Sequence, residues 1–214
     1  MTTPAEDRLI FHIPPLAHLP EILADGCLWS DHQVVTRPNQ RTVIGFDTIK
    51  RRRLQEIKVS CHPTTFVGQY VPFYFCPRSP MLYVIHRRNS ELTYHGGQER
   101  IVHLVSKVGM AIQSCAGRPW AFTDGNAGAY YARFCNDLTQ FDQYVDSNAV
   151  EAKYWSDPTV KERKQAEFLT YESFPWTSIL GIAAISQNVE RQVQQILANA
   201  GHQPRVVSNP EWYY

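Results

Sequence analysis

The sequence predicts an α+β fold, in which strands and helices follow one another without a regular order. Two observations carry this prediction. Strand-like and helix-like segments do not alternate with the period of a doubly wound sheet, and neither G-x-G-x-x-G nor G-x-x-x-x-G-K-S/T occurs. The 214 residues are about the length of one domain, and the chain has no internal repeat or Gly/Ser linker. We therefore expect residues 1–214 to form a single domain.

The first half of the chain predicts two helices and a proline-rich segment after an opening strand. Residues 9–13, LIFHI, are predicted as a strand, because two prolines follow them. Residues 18–26 have apolar side chains at helical spacing and end in Gly26, a typical C-cap. Residues 47–57 predict a short basic helix. Residues 66–86 are rich in aromatic residues but contain three prolines, which favours strand ends and a loop over a central strand.

The second half predicts further strands and a closing helix. Residues 121–134 begin as a strand, turn at residues 124–126, and are predicted to continue as a helix. Residues 188–201 form an amphipathic pattern closed by Gly201, which predicts a helix. The remaining strands are predicted at residues 101–108, 166–174 and 179–186.

The composition is that of a soluble globular protein. Hydrophobic residues make up 43% of the chain and charged residues 19%. No apolar run reaches the roughly 18 residues that a membrane span needs, and the first residues lack the layout of a signal peptide. We therefore expect a cytoplasmic protein. The five cysteines are odd in number, without a C-x-x-C pair, and the histidines lack metal-ligand spacing, so we expect reduced thiols and no metal.

The basic residues are concentrated in two stretches although the net charge is only +1. Such stretches are usually solvated helix faces, and contact with a polyanion is the alternative. The first stretch contains Arg37, Arg41, Lys50, Arg51, Arg52, Arg53 and Lys58, and the second contains Lys161, Arg163 and Lys164.

Three features are candidates for chemistry. His12 ends the first strand, the arginines at 51–53 stand before the aromatic segment 70–83, and Glu167 lies between a charged run and an apolar run in ERKQAEFL. Each has an ordinary structural explanation: a core histidine, packed aromatic rings, or an exposed glutamate. Taken singly, none of them justifies naming a function.

Taken together and in this order, these segments resemble the DarT family of bacterial DNA ADP-ribosyltransferases, the toxin half of a toxin–antitoxin pair. The resemblance runs from about residue 9 to residue 214. The stretches that carry it are FHIPPLAHLPEIL, IKRRRL, YVPFYFCPRSPMLYVIH, GGQERIVHLVS, AFTDGNA, YWSDP, ERKQAEFL and EWYY. It implies the ADP-ribosyltransferase fold, a central split antiparallel β-sheet with flanking helices. It also implies NAD as the donor, thymine N3 in single-stranded DNA as the acceptor, and a DarG-like macrodomain antitoxin as a partner.

The resemblance also assigns roles to individual residues. Glu167 corresponds to the transferase glutamate, and Arg53 to the arginine that acts on the acceptor base. His12 corresponds to the strand-end histidine that holds the ribose of the adenosine half. Further NAD contacts are implied at Leu23, Tyr74 and Arg53, and DNA contacts at Arg78, Met81, Trp155, Arg51 and Arg52. Core packing is the alternative for Tyr74 and Met81.

The chemistry explains why a glutamate and an arginine suit these roles. Cleavage of the bond between nicotinamide and ribose passes through an oxocarbenium-like state, which a fixed carboxylate stabilises. At about 4 Å and an effective dielectric near 20, that interaction is on the order of 4 kcal/mol. A guanidinium stays protonated in proteins, so we expect Arg53 to polarise the thymine and stabilise its N3 anion. An ADP-ribosyltransferase acting on RNA or protein, or a non-catalytic nucleic-acid-binding module, remains the alternative.

Overall fold

The structure is a computed structural model, and it describes residues 3–36 and 47–214. In this part of the chain the strands are β1 (Leu9–His12), β2 (Cys27–Trp29), β3 (Lys58–Val59), β4 (His62–Phe66), β5 (Tyr70–Tyr74), β6 (His103–Lys107), β7 (Trp120–Thr123), β8 (Phe134–Cys135), β9 (Glu167–Tyr171), β10 (Ser173–Pro175), β11 (Gly181–Ala184) and β12 (Arg205–Ser208). The helices are α1 (Leu19–Asp25), α2 (Asp31–Thr36), α3 (Asp47–Gln55), α4 (Pro80–His86), α5 (Val108–Cys115), α6 (Phe141–Tyr144), α7 (Ser147–Glu151), α8 (Pro158–Arg163) and α9 (Gln187–Leu197).

A large, mostly antiparallel sheet organises the described residues, which confirms the α+β prediction. Its eight strands lie in the order β12-β11-β6-β1-β5-β9-β7-β8. Neighbouring strands are antiparallel except for β11 and β12. Non-sequential neighbours dominate this order, so residues far apart in the chain meet in the centre of the sheet.

The sheet is split between β1 and β5. Over the described residues these strands are joined at a single pair, Phe11 opposite Tyr74, whereas β5 and β9 pair along five residues. The prediction that residues 66–86 avoid a central strand is therefore wrong. Pro72 lies inside β5, and its carbonyl accepts a hydrogen bond from the His12 ring on the β1 side. In an antiparallel strand the backbone N and C=O of one residue point to the same neighbouring strand. The Pro72 carbonyl points to β1, so the position of its missing N–H also faces β1, the side on which the sheet is split.

The helix α4 after this strand was also missed by the sequence prediction. It begins at Pro80, and the Ser79 side chain accepts a hydrogen bond from the backbone N–H of Leu82. A serine cap followed by proline at the first helical position is a known start signal. The proline count of the whole segment concealed that local signal.

The prediction of a helix after the turn at residues 124–126 is also wrong. After β7 the chain forms a loop, residues 124–133, which returns to the sheet as the short strand β8. The Asp124 carboxylate closes the loop, accepting hydrogen bonds from the backbone N–H of Arg133 at 3.0 Å and from its Nε at 2.6 Å. Asn126 accepts a bond from the N–H of Gly128, a turn that competes with helix formation.

Other predicted elements are confirmed with adjusted ends. The strands β1, β6 and β11 and the helices α1 and α3 lie where the sequence places them, and Gly26 ends α1 with a φ of 67°. The strand predicted at residues 166–174 divides into β9 and β10 around Glu172, whose φ is 60°. The closing helix α9 ends at Leu197, before Gly201. Arg37 and Arg41 lie outside the described residues.

The main core lies on one face of the sheet. Phe73, Phe168 and Phe122 stand opposite one another on β5, β9 and β7, and all three are fully buried. Because side chains alternate along a strand, Tyr74 and Glu167 face the other side. That face is covered by α3, the loop 124–133 and a smaller apolar cluster. The site therefore lies on the face of the sheet opposite its main core.

The cysteines and helices give two further findings. All five cysteines are free, and all but Cys61 are buried, as predicted for reduced thiols. Among the described residues, no helix is long and apolar enough to cross a membrane.

Candidate active site

Glu167 is a buried carboxylate held by hydrogen bonds. It is the first residue of β9, stands opposite Tyr74, and is 2% exposed. Its backbone N–H donates to the Thr123 hydroxyl at 2.9 Å. Within the described residues its Oε1 accepts from the backbone N–H of Ala127 and from Arg53 Nη1, each at 3.0 Å, and its Oε2 accepts from Arg53 Nη2 at 2.9 Å. The carboxylate therefore has a fixed position and orientation.

Arg53 faces this carboxylate with both terminal nitrogens. The two parallel bonds form the bidentate pair that a planar guanidinium makes best. Burial alone lowers the pKa of Arg53, but the charge and hydrogen bonds of Glu167 outweigh it and raise the pKa above its ordinary value. Arg53 is therefore a permanent cation in this site, suited to stabilising negative charge and unable to accept a proton.

The helix α3 is seated against the turn that leads into β5, the strand that carries Tyr74. A Cβ on Gly68, just before β5, would lie 2.7 Å from Leu54 Cδ2 and 2.9 Å from Leu54 Cα. Only glycine permits this approach, because real Cβ contacts are not that short. The close contact next to Arg53 fixes the helix relative to the sheet.

The loop 124–133 is joined to the same helix. Arg52 Nη2 donates to the Gly128 carbonyl at 2.6 Å, and its guanidinium lies 5.0 Å from the Tyr130 ring. A Cβ on Gly128 would come within 3.2 Å of Ile49 Cγ2 and 3.3 Å of Arg53 Cγ. The loop that supplies the Ala127 N–H and the helix that supplies Arg53 therefore form one cover over Glu167. Arg51 is exposed on the helix.

His12 is the last residue of β1, and the residue before it, Phe11, stands opposite Tyr74 of β5. A carbonyl can only accept, so the Nδ1–H of His12 donates to Pro72 O at 2.8 Å, and Nε2 carries the free lone pair. Burial lowers the pKa of His12, partly opposed by the bond to Pro72 and the charge of Asp31. The ring is therefore neutral and can accept a hydrogen bond from a hydroxyl.

Tyr74 lies between Phe11 of β1 and Glu167 of β9. Burial and the Glu167 charge raise the pKa of Tyr74, so its phenol stays neutral. Leu23 of α1 is partly buried and packs against the main core. The structure thus brings Arg53, Tyr74 and Glu167 together, with His12 at the adjoining end of β1.

Sequence reasoning missed several groups of this site. Asp31, the first residue of α2, raises the pKa of both His12 and Arg53 through its charge and lies 3.8 Å from Lys50 Nζ. Thr123 and the Ala127 N–H position Glu167. No local sequence signal marks Asp31 or Ala127, whereas the turn at Asp124-Gly125-Asn126 placed the loop.

Of the residues predicted to contact DNA, Arg78, Met81 and Trp155 lie around the segment after β5, whereas Arg51 and Arg52 lie on α3. The guanidinium of Arg78 lies 4.4 Å from the Tyr214 ring, and Trp155 makes an edge contact with Tyr83 at 5.2 Å. Met81 is partly buried and packs on the apolar cluster around α4. Arg78 and Trp155 line a cavity of about 640 Å³.

The second basic stretch is only partly a solvated helix face, since Lys161 is exposed but Lys164 is not. Lys164 is 2% exposed, and its ammonium donates to the Val150 carbonyl. Arg163 donates to Asp124 at 3.3 Å. The expectation of solvation is therefore wrong for Lys164, while Arg163 is half-exposed and pairs with the loop 124–133.

The split antiparallel sheet with flanking helices defines the class: this is the ADP-ribosyltransferase fold. The family model described as "ssDNA thymidine ADP-ribosyltransferase, DarT" matches residues 11–214, and the chain belongs to this family. The resemblance seen in the sequence is thereby confirmed.

Individual relatives agree with this family. A DNA ADP-ribosyl transferase of Thermus sp. (strain 2.9) is 43% identical over 212 residues, which cover 98% of this chain and 97% of the relative. The solved structure of Thermus sp. 2.9 DarT in complex with ADP-ribosylated ssDNA has a TM-score of 0.88 and 41% identity, and the match covers 100% of this chain and 99% of that one. Its complex with NAD⁺ has a TM-score of 0.82 and 40% identity, covering 99% and 100%. Both matches span essentially the whole sheet and its helices.

Proposed function

We propose that this chain is a toxin that transfers ADP-ribose from NAD to N3 of thymine in single-stranded DNA and releases nicotinamide. The observation that carries the proposal is the buried Glu167 carboxylate, fixed by Arg53 and Ala127 beside the split of the sheet. Family membership supports it, as do the Thermus relative's complexes with NAD⁺ and with ADP-ribosylated ssDNA.

Glu167 acts on the donor in this mechanism. When the bond between ribose C1′ and nicotinamide breaks, its electron pair leaves with nicotinamide, and the sugar becomes oxocarbenium-like. Glu167 stabilises this positive charge and grips a ribose hydroxyl. His12 accepts a hydrogen bond from the ribose of the adenosine half through its free Nε2, while Tyr74 and Leu23 offer apolar contacts to NAD.

Arg53 acts on the acceptor. Thymine N3 gives up its proton to water, and the electron pair that this leaves on N3 forms the bond to C1′. Because Arg53 is a permanent cation, it favours that loss by stabilising the anionic base, and it does not take the proton itself. Its bidentate contact with Glu167 couples the two roles, since any movement of one side chain changes the hydrogen bonds of the other.

The DNA strand contacts the residues around α4 and α3 in this proposal. Arg78, Met81 and Trp155 offer planar and apolar surfaces on which unpaired bases stack, at about 1–3 kcal/mol per base. Arg51 is exposed on α3 and can contact a DNA phosphate. Arg52 contacts the DNA as well, and it also donates a hydrogen bond to Gly128 of the loop 124–133. A single strand is favoured because extruding a base from a duplex costs a few kcal/mol.

We further propose that residues 1–214 act as one catalytic domain in the cytoplasm, with a DarG-like macrodomain antitoxin as partner. NAD is a co-substrate, and the mechanism requires no metal. Among the residues that the structure describes, no group of three or more metal-ligating side chains is gathered for one.

The experiment mixes the protein with NAD and a thymine-containing single-stranded oligonucleotide and weighs the oligonucleotide by mass spectrometry. We expect one ADP-ribose to be added by the unsubstituted protein and none by Glu167→Ala. RNA oligonucleotides and protein fractions are tested in parallel. Modification of RNA or protein alone would replace the DNA assignment, and DNA binding that is indifferent to NAD and to Glu167 would favour a non-catalytic binding module.

A further inference from the structure

The EWYY segment, residues 211–214, contacts both the sheet and the turn that carries Arg78. Tyr213 packs its ring against His103 at 4.7 Å, and its hydroxyl lies 3.0 Å from the carbonyl oxygens of Ile101 and Ala183. The backbone of Tyr214 is bonded on both sides by the buried side-chain amide of Gln98, which accepts from its N–H and donates to its carbonyl. The segment is therefore fastened to the sheet.

From this position Tyr214 reaches the turn that carries Arg78. Its hydroxyl donates to the Arg78 carbonyl at 2.9 Å, with Ser79 O at 3.4 Å. The preceding carbonyl, Pro77 O, accepts from His103 Nε2 at 2.9 Å. Burial raises the pKa of Tyr214 to about 12, so the hydroxyl keeps the proton that it donates. The backbone of the turn is thus fixed by side chains from β6 and from the EWYY segment.

The same tyrosine also fixes the side chain of Arg78. The guanidinium carbon lies 4.4 Å from the centre of the Tyr214 ring, a cation–π contact. Among the described residues, Arg78 Nε is buried and has no hydrogen-bond partner. A buried donor without a partner in a binding protein is a candidate for ligand contact. Arg78 lines the cavity that Trp155 also lines, and Trp155 lies 6.5 Å from Tyr214.

We propose that Tyr214 is a positioning residue for DNA recognition: it holds the carbonyl and the guanidinium of Arg78 so that the planar guanidinium meets a base of the single strand. The inference rests on the proposed function and adds to it a residue that touches neither NAD nor the reacting atoms. An arginine loses considerable side-chain entropy on binding, and a guanidinium already stacked on Tyr214 loses less. Tyr214 therefore acts on DNA affinity, whereas Glu167 and Arg53 act on turnover.

The test measures the Kd for single-stranded DNA and the KM for NAD separately in purified variants. Tyr214→Phe keeps the ring and loses the hydroxyl, and Tyr214→Leu loses both. We expect the Kd for a fluorescent thymine-containing single strand, followed by anisotropy, to rise roughly fivefold in Tyr214→Phe. In Tyr214→Leu we expect a rise of roughly tenfold or more. The KM for NAD should stay within about twofold, which a general loss of structure would not allow.

Two controls make the test specific. Tyr94→Phe removes a hydroxyl that also donates to a backbone carbonyl, Gly97 O at 3.1 Å, in the same apolar cluster, and it should leave the DNA Kd unchanged. In a double-mutant cycle, Tyr214→Leu should add little to Arg78→Gln, because the tyrosine acts through the arginine.

The outcomes separate this inference from the proposed function. Additive losses in the cycle, or equal changes in the KM for NAD and the Kd for DNA, would overturn the positioning role of Tyr214. So would Tyr214 variants that bind DNA as tightly as the unsubstituted protein while that protein modifies DNA. An unsubstituted protein that neither binds nor modifies any oligonucleotide would overturn the proposed function itself.

Discussion

Replacing Arg53 by lysine tests the role of the guanidinium while keeping the positive charge. Arg53 donates two parallel bonds to the two oxygens of Glu167, at 3.0 Å and 2.9 Å. A lysine ammonium is a point donor on a different stem and cannot reproduce the planar pair. One charge-assisted hydrogen bond is lost, at a cost of about 1.5–3 kcal/mol.

If that bond is fully used in the transition state, turnover falls by about 10- to 160-fold. The assay is the initial rate of oligonucleotide modification at saturating NAD and DNA, read by mass spectrometry. Arg51→Lys is the matched control, because Arg51 is the same residue type, two positions earlier on the same helix, and exposed. A rate for Arg53→Lys within about threefold of the unsubstituted protein would refute the guanidinium role, as would an equal loss in Arg51→Lys.

Three further predictions follow from the site and its support. Glu167→Gln is expected to lower turnover by about a thousandfold, since it removes an interaction of about 4 kcal/mol, while the circular dichroism spectrum is retained; a loss under about tenfold would argue against the charge role. Gly128→Ala is expected to lower turnover about tenfold with an unchanged KM for NAD, because its Cβ would press on Ile49 and Arg53 and move the loop 124–133; kinetics equal to the unsubstituted protein would refute the close fit. Burial lowers the pKa of His103 to about 4, so acidification protonates the unfolded chain first, and stability falls as the pH drops below about 6.5. Between about pH 7.5 and about pH 5 the His103 contribution is a loss of about 2 kcal/mol, and urea unfolding of His103→Gln should show a correspondingly flatter pH dependence; parallel profiles would contradict it.

The sequence predicts best what depends on neighbouring residues. The helix α1 and its Gly26 cap, the basic helix α3 and the strand β6 follow from local patterns and stand where expected. Glu167 stands out in the sequence as a charge at the start of an apolar strand, and the structure explains its position by Arg53, which lies 114 residues earlier.

The missed features depend on contacts between distant segments. Pro72 argues against a central strand by every local rule, and β5 is central because the sheet happens to split on the side of its missing N–H. The Ala127 N–H is a backbone group that carries no residue signature. Asp31 influences His12 and Arg53 through space, across three separate elements. Such groups become visible only when the topology has brought the elements together.

The 114-residue separation of Arg53 and Glu167 also sets a time during protein synthesis. A ribosome that adds roughly 5–20 residues per second takes about 6–23 s to pass from one to the other. Throughout that interval the nascent chain contains the arginine but no strand β9, and a central position of the sheet is unfilled. The nascent chain therefore has no complete site until β9 has been made.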